Sequence, residues 1–232
     1  MLRVGIIAEG ATDFLVLEAI MKTVTPELEF VHIHPAPAPA SRFGNGWRGV
    51  KAWCEENGPE LETYRRGITS EALDLLVIHV DCSMADKLGV ERPCPPANDT
   101  ALELKQTIEE TWLGRVPPPE FVVLATPAMS SDAWVISAFD DPYSNLSSIE
   151  CDKAAEDEFV RRKIFRRETD IRMRNGRKVK ETRVHKKPKL YEPMAERCGL
   201  LIDQVCTHCP QAEAFRSNFR VAVARSLPPQ AT

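Results

Sequence analysis

A chain of 232 residues, 43% hydrophobic and 28% charged, suits one large globular domain or one domain with an appendage. No apolar run approaches the roughly 20 residues that cross a bilayer, and the N-terminus reads as a strand rather than a secretion signal. A cytoplasmic location without a membrane partner is therefore expected, with the seven cysteines as reduced thiols.

In chain order, Val4, Ile6 and Ile7 predict a short buried strand that ends at Glu9-Gly10. Thr12 is the expected N-cap of a helix whose apolar side is Phe14, Leu15, Leu17, Ala19 and Ile20. A second strand, Phe30 to His34, alternates apolar residues with His32 and His34, which read as surface histidines rather than ligands. Trp47 to Tyr64 has the spacing of one helix, with Val50, Trp53, Cys54 and Leu61 on one face. The run ALDLLVIHVD is the strongest strand and ends at Asp81. A Pro-rich loop follows, and then a helix with Asp99 as its expected N-cap. Phe121 to Ala125 predicts another buried strand, with Asp132 opening a helix or turn beyond it. Alternating strands and helices with uninterrupted apolar strands predict an α/β fold, Rossmann-like, with a mostly parallel sheet covered on both faces.

Past residue 140 the pattern changes. Between Val160 and Leu190 stand fourteen Lys or Arg against Glu168, Asp170 and Glu181, so this run is net +11 and the remainder, in a chain of −4, is −15. RMRNGRKVKETRV predicts a hairpin turning at Asn175-Gly176. Residues 1–140 are thus expected as the core, 141–190 as a basic arm, and 191–225 as a C-terminal helix packing on the core. Charge of this density most often meets phosphate, which makes nucleic acid (DNA or RNA) the expected partner. Arg166, Arg167, Arg172, Arg174, Arg177 and Lys178 are the expected contacts; few aromatics lie nearby to stack on bases.

Glu9, Asp81 and Asp132 all fall just beyond strand ends, at the edge where open α/β sheets bind ligands. Carboxylates gathered there repel one another unless a cation joins them, and hard oxygen ligands without thiolates select Mg²⁺ or Mn²⁺. Such ions assist phosphoryl chemistry. Cys206 and Cys209, with Cys198 upstream, lack a second close pair and sit in a helical pattern, so they are expected as ordinary thiols. The chain has neither a phosphate-binding P-loop nor a GxSxG elbow.

AEGATD, VIHVDCS and PAMSSDAW, in that order, resemble the three signatures of Toprim-like proteins related to the OLD nucleases, a family of bacterial defence and mobile-element loci. The resemblance spans about residues 1–140 and extends weakly to HKKPKLYEPMAERCGLLID. It implies a Toprim-like fold and a Mg²⁺- or Mn²⁺-dependent nuclease acting with a neighbouring ATPase. Glu9 would be the catalytic acid or base and a metal neighbour, Asp81 the principal ligand, and Asp132 the later acid. Lys187 or Lys189 would meet a phosphate or the developing charge. The chain departs from the family pattern at three places: Asp13 replaces a Glu, Asp132 replaces a Glu, and Ser83 replaces the second Asp of Asp-x-Asp. Asp86 would replace that lost ligand if its loop folds back. The alternative is a non-catalytic nucleic-acid-binding or partner-docking subunit on a degenerate Toprim fold.

Overall fold

A computed structural model describes residues 1–35, 42–67, 72–90, 94–139, 146–151, 155–174 and 177–227, without the side chains of 146–148, 170, 172–174, 177, 181 and 183. Four parallel strands, β1 (Leu2–Ile7), β2 (Leu28–His34), β3 (Leu75–His79) and β4 (Val122–Ala125), form one sheet in the order β2-β1-β3-β4. Val4, Ile6, Ile7 and every residue of β3 are fully buried, which is why these segments read as unbroken apolar runs. Each apolar side chain among them contributes about 1.5–3 kcal/mol on leaving water. β1 pairs with β2 on one side and with β3 on the other. The order therefore reverses at β1, and right-handed crossovers put α1 (Ala11–Lys22) and α2 (Gly46–Asn57) on opposite faces. The carboxyl ends of β1 and β3 flank the switch point, where a crevice opens in such sheets.

Several local expectations are corrected. Gly10, in extended conformation, is the N-cap of α1, and Thr12 lies inside the helix. Pro96 rather than Asp99 caps α4 (Ala97–Thr107), which runs on through a wider turn over Ile108–Trp112. The helix foreseen over Trp47 to Tyr64 breaks after α2 into a short turn and α3 (Leu61–Arg65). The break falls at Gly58-Pro59. A Cβ on Gly58 would stand 2.7 Å from the Leu113 carbonyl, so the chain must pass close here. His34 is buried against the Phe43 ring rather than exposed, while His32 stacks on Phe14 and bonds Glu18 at 2.5 Å.

The region read as a basic arm is smaller than 141–190. Within it a 3₁₀ turn (Leu146–Cys151) and α6 (Ala155–Arg161) belong to the body: Ile149, Ala155, Phe159 and Phe165 join the common core. Glu150, 1% exposed, accepts the Trp134 indole N–H at 2.5 Å and the Gln211 N–H at 3.0 Å. Charged neighbours masked these apolar anchors in the sequence. The thiol expectation also needs correcting, since Cys94 and Cys151 form a disulfide. The remaining basic residues build an antiparallel ribbon, β5 (Arg167–Arg174) and β6 (Arg177–Val184), paired to Arg174↔Arg177. Asn175 and Gly176, the expected turn, lie outside the described residues, as do the side chains of Arg172, Arg174 and Arg177.

The C-terminal segment forms α7 (Pro188–Leu200), α8 (Ile202–His208) and α9 (Pro210–Ser226) instead of one helix. Gly199, near the end of α7, sits so close to α1 that a Cβ would be 2.8 Å from the Ala19 carbonyl oxygen. Pro188, at the start of α7, lines the same hollow as Ala11 and Thr12 at the start of α1. The two helices therefore run side by side in the same direction. No helix among the described residues is long and apolar enough to cross a membrane.

Candidate functional site

Glu9 follows β1 directly, with Ala8 still bonded to the His34 carbonyl of β2. Its carboxylate fastens three elements together. Oε1 accepts the Asp81 N–H at 2.8 Å, and Oε2 accepts the Trp47 N–H at 3.0 Å. Trp47 is the second residue of α2, so this donor is one the helix cannot satisfy itself. The turn into α2 needs Gly46, at φ 68, whose N–H donates to the Glu9 carbonyl at 3.0 Å. Burial pushes the Glu9 carboxyl up from 4.5 to about 8, with the charges of Asp81 and Asp13 adding to it. His79 and the Asp81 N–H oppose the rise without cancelling it.

Asp81 lies two residues past β3, held by a continuation of the strand pairing: Val80 and Cys82 donate to Ala125 and Pro127, and Ser83 to Met129. This carries the Ser131 end of α5 (Ser131–Ser137) to the site, where the Ser131 N–H reaches Asp81 Oδ1 at 3.1 Å. The Ser131 hydroxyl donates to Asp13 Oδ1 at 2.8 Å. Between the two aspartates stands His79, fully buried, with Nε2 3.2 Å from Asp81 Oδ1 and Nδ1 4.0 Å from Asp13 Oδ2. Nδ1 is too far from Asp13 for a hydrogen bond, and Nε2 meets Asp81 as a close charge contact. Burial alone would lower the His79 pKa, but Asp13, Asp81 and Glu9 outweigh it and raise it to about 9. The three acids thus favour the charged form of the ring. Asp13 is itself raised, chiefly by burial.

Asp132, 2% exposed, enters the same edge on α5 but is differently occupied. Oδ2 takes the Lys186 ammonium at 2.7 Å, and Oδ1 takes the Tyr191 hydroxyl at 2.7 Å. Lys186 also meets Glu156 at 2.8 Å. Despite burial, which would lower it, the Lys186 pKa is raised, Asp132 first and then Glu156 and Asp13 holding the proton on. Burial and Asp132 raise that of Tyr191.

The edge therefore gathers Glu9 and Asp81 as foreseen, whereas Asp132 spends both oxygens on Lys186 and Tyr191. Lys187 and Lys189 are exposed, Lys187 as the N-cap of α7 and Lys189 in its first turn. Lys186 is the lysine that turns inward. Asp86 and Ser83 are exposed in the 3₁₀ turn Cys82–Leu88. With Lys186, four further participants had been given no role: Asp13, His79, Ser131 and Tyr191. His79 had a signal, since a residue two before Asp81 shares its strand face. Of the expected nucleic-acid contacts, Arg166 bonds Glu168 at 3.2 Å, Arg167 pairs with Asp157, and Lys178 is exposed on β6.

Whether the acids fit Mg²⁺ or Mn²⁺ turns on their chemistry. Asp81 Oδ2 has no partner among the described residues, and Glu9 is raised first by burial and then by the Asp81 charge, which His79 does not cancel. Two hard carboxylates in that condition fit a hard dication. No group of three His, Cys, Asp or Glu among the described residues is already arranged as a metal-holding set. Compared with family models, characterised proteins and solved structures, the chain matches none. Fold and site together define a mixed α/β protein with acids gathered at the switch point of a parallel sheet.

Proposed function

We propose that this chain is a Toprim-like, Mg²⁺- or Mn²⁺-dependent phosphodiesterase acting on DNA or RNA, working beside an ATPase in a bacterial defence or mobile-element system. The observation that carries the reading is the junction of Glu9 with Asp81 at the carboxyl ends of adjacent parallel strands. Glu9 and Asp81 would hold the ion, which supplies charge to polarise a phosphate. A Glu9 carboxyl near 8 exchanges its proton around neutral pH, as a general acid or base must. The ribbon, exposed at Lys178 and Lys180, gives the backbone a cationic partner, and two-stranded ribbons fit a duplex groove.

The test is incubation of plasmid and RNA with Mg²⁺ or Mn²⁺ against EDTA. Glu9→Gln and Asp81→Asn should each lower cleavage by at least about 100-fold. A second reading, a binding subunit without catalysis, is favoured by His79, whose charge already sits among the acids. It wins if the wild type takes up no divalent ion in calorimetry and cleaves nothing, while Ser83→Asp gains metal binding.

A further inference from the structure

At the foot of the ribbon lies a hollow that the acid cluster does not use. Its volume, about 440 Å³, is that of a small-molecule site. Val160, Ile164 and Leu190 give it an apolar floor, and Leu190 is 55% exposed. Lys163, Arg166, His185 and Lys187 form the rim. Glu168, the acid of this rim, is already shared between Arg166 at 3.2 Å and His185 at 3.4 Å. The ammonium groups of Lys163 and Lys187 make no ion pair among the described residues.

Lys163 is held at that rim against its conformational preference. α6 closes with the Lys163 N–H on the Val160 carbonyl and the Ile164 N–H on the Phe159 carbonyl, each at 2.9 Å. This turn needs a left-handed residue, normally glycine, yet Lys163 occupies it at φ 58. No other non-glycine residue among those described has a positive φ. Strain kept at such a position points to a use for the side chain.

The hollow shares His185 with a smaller one, about 250 Å³, lined by Ala11, Thr12 and Lys186. Ala11 and Thr12 open α1, whose first N–H groups favour anions, and Lys186 leads on to Asp132. A cationic path thus joins the apolar floor to the acids.

We propose that the larger hollow seats one nucleotide of a single-stranded nucleic acid. The base lies on Ile164 and Leu190, the phosphate meets Lys163 and Lys187, and the strand continues over α1 toward Glu9. A base must leave its stack to reach an apolar floor, so this hollow takes a single strand, and a duplex meets only the ribbon. Only the direction of the strand rests on the nuclease reading.

The experiment uses full-length Glu9→Gln protein in EDTA, titrated by anisotropy with a labelled oligothymidylate of about twelve nucleotides and with a blunt duplex of equal length. Added Lys163→Gly should weaken single-strand binding about five- to tenfold, and the salt slope should fall by about 0.7 because one phosphate no longer meets an ammonium. The same change should raise Tm by a few degrees, because glycine relieves the turn. Leu190→Asp should weaken the single strand about tenfold and leave the duplex nearly unchanged. Equal losses on both nucleic acids, unaltered binding in a stabilised Lys163→Gly protein, or equal competition by polyglutamate would overturn the proposal. If wild type cleaves with Mg²⁺ while these variants bind normally, the hollow is excluded and the nuclease reading stands. If nothing cleaves but the variants lose single-strand binding, the reverse holds.

Discussion

Glu9 and Asp132 are both enclosed carboxylates at one edge of one sheet, yet their surroundings differ. Asp132 has an ammonium and a phenol hydroxyl, each at 2.7 Å. Glu9 has only backbone N–H donors, and its strongest side-chain neighbour is another acid, Asp81. Burial raises Glu9 to about 8, whereas around Asp132 it is the partners, Lys186 and Tyr191, whose pKa values climb. Enclosure by itself says little about a charge; the partner enclosed with it decides. Asp132 belongs to a finished structural pair, whereas Glu9 has no ammonium or hydroxyl bonded to it.

The largest effect should come from opening the finished pair. Lys186→Met strands Asp132 and Glu156, and urea unfolding at pH 7 should show a loss of about 3 kcal/mol. Adding Asp132→Asn should recover most of it. A loss below about 1 kcal/mol would mean that water screens the pair as it does surface bridges.

Next in size is the pH response of the unfinished site in EDTA. The folded chain keeps the Glu9 proton from 4.5 up to about 8, where the unfolded chain has released it. It also keeps the His79 proton from 6.5 up to about 9. In both windows the folded state binds more protons, so stability should fall as pH rises through them. Glu9→Gln should flatten the lower window and be more stable than wild type above pH 8 by about 2 kcal/mol. Mg²⁺ should stabilise the wild type there and the variant much less. Denaturation midpoints across pH that rise instead would refute the assignment.

Two smaller changes sharpen the contrast. Ser131→Ala removes the hydroxyl from Asp13 but leaves the Ser131 N–H on Asp81, which should cost about 1–1.5 kcal/mol in thermal unfolding. Gly46→Ala forces a side chain into the left-handed region beside Glu9, for about 1 kcal/mol by the same measurement.

The same contrast explains what could be read from the sequence. Glu9 and Asp81 were legible because each directly follows a run of buried β-branched residues, which is local information. The sheet was legible for that reason too. The partners were not, because they arrive from afar: Lys186 lies 54 residues from Asp132, and Ser131 lies 118 from Asp13. Among Lys186, Lys187 and Lys189, only the start of α7 at Pro188 decides which turns inward. His79 shares a strand face with Asp81, but its second acid, Asp13, comes from α1 and leaves no mark on the strand. α6 was hidden because Glu156, Asp157 and Glu158 dilute the signal of Ala155 and Phe159.

Gly199 carries no functional group and stands far along α7 from Lys186, yet it sets how deeply that helix beds against Ala19. Lys186 stands just before the N-cap of α7, at the edge where α1 begins, so the seat of one helix on the other works as a ruler for the reach of the ammonium. A helix rises 1.5 Å per residue, and a slip of a single residue would carry the 2.7 Å contact with Asp132 beyond bonding range. The tolerance of the charged pair is thus written into a position that has no chemistry, where a search for reactive side chains would never look.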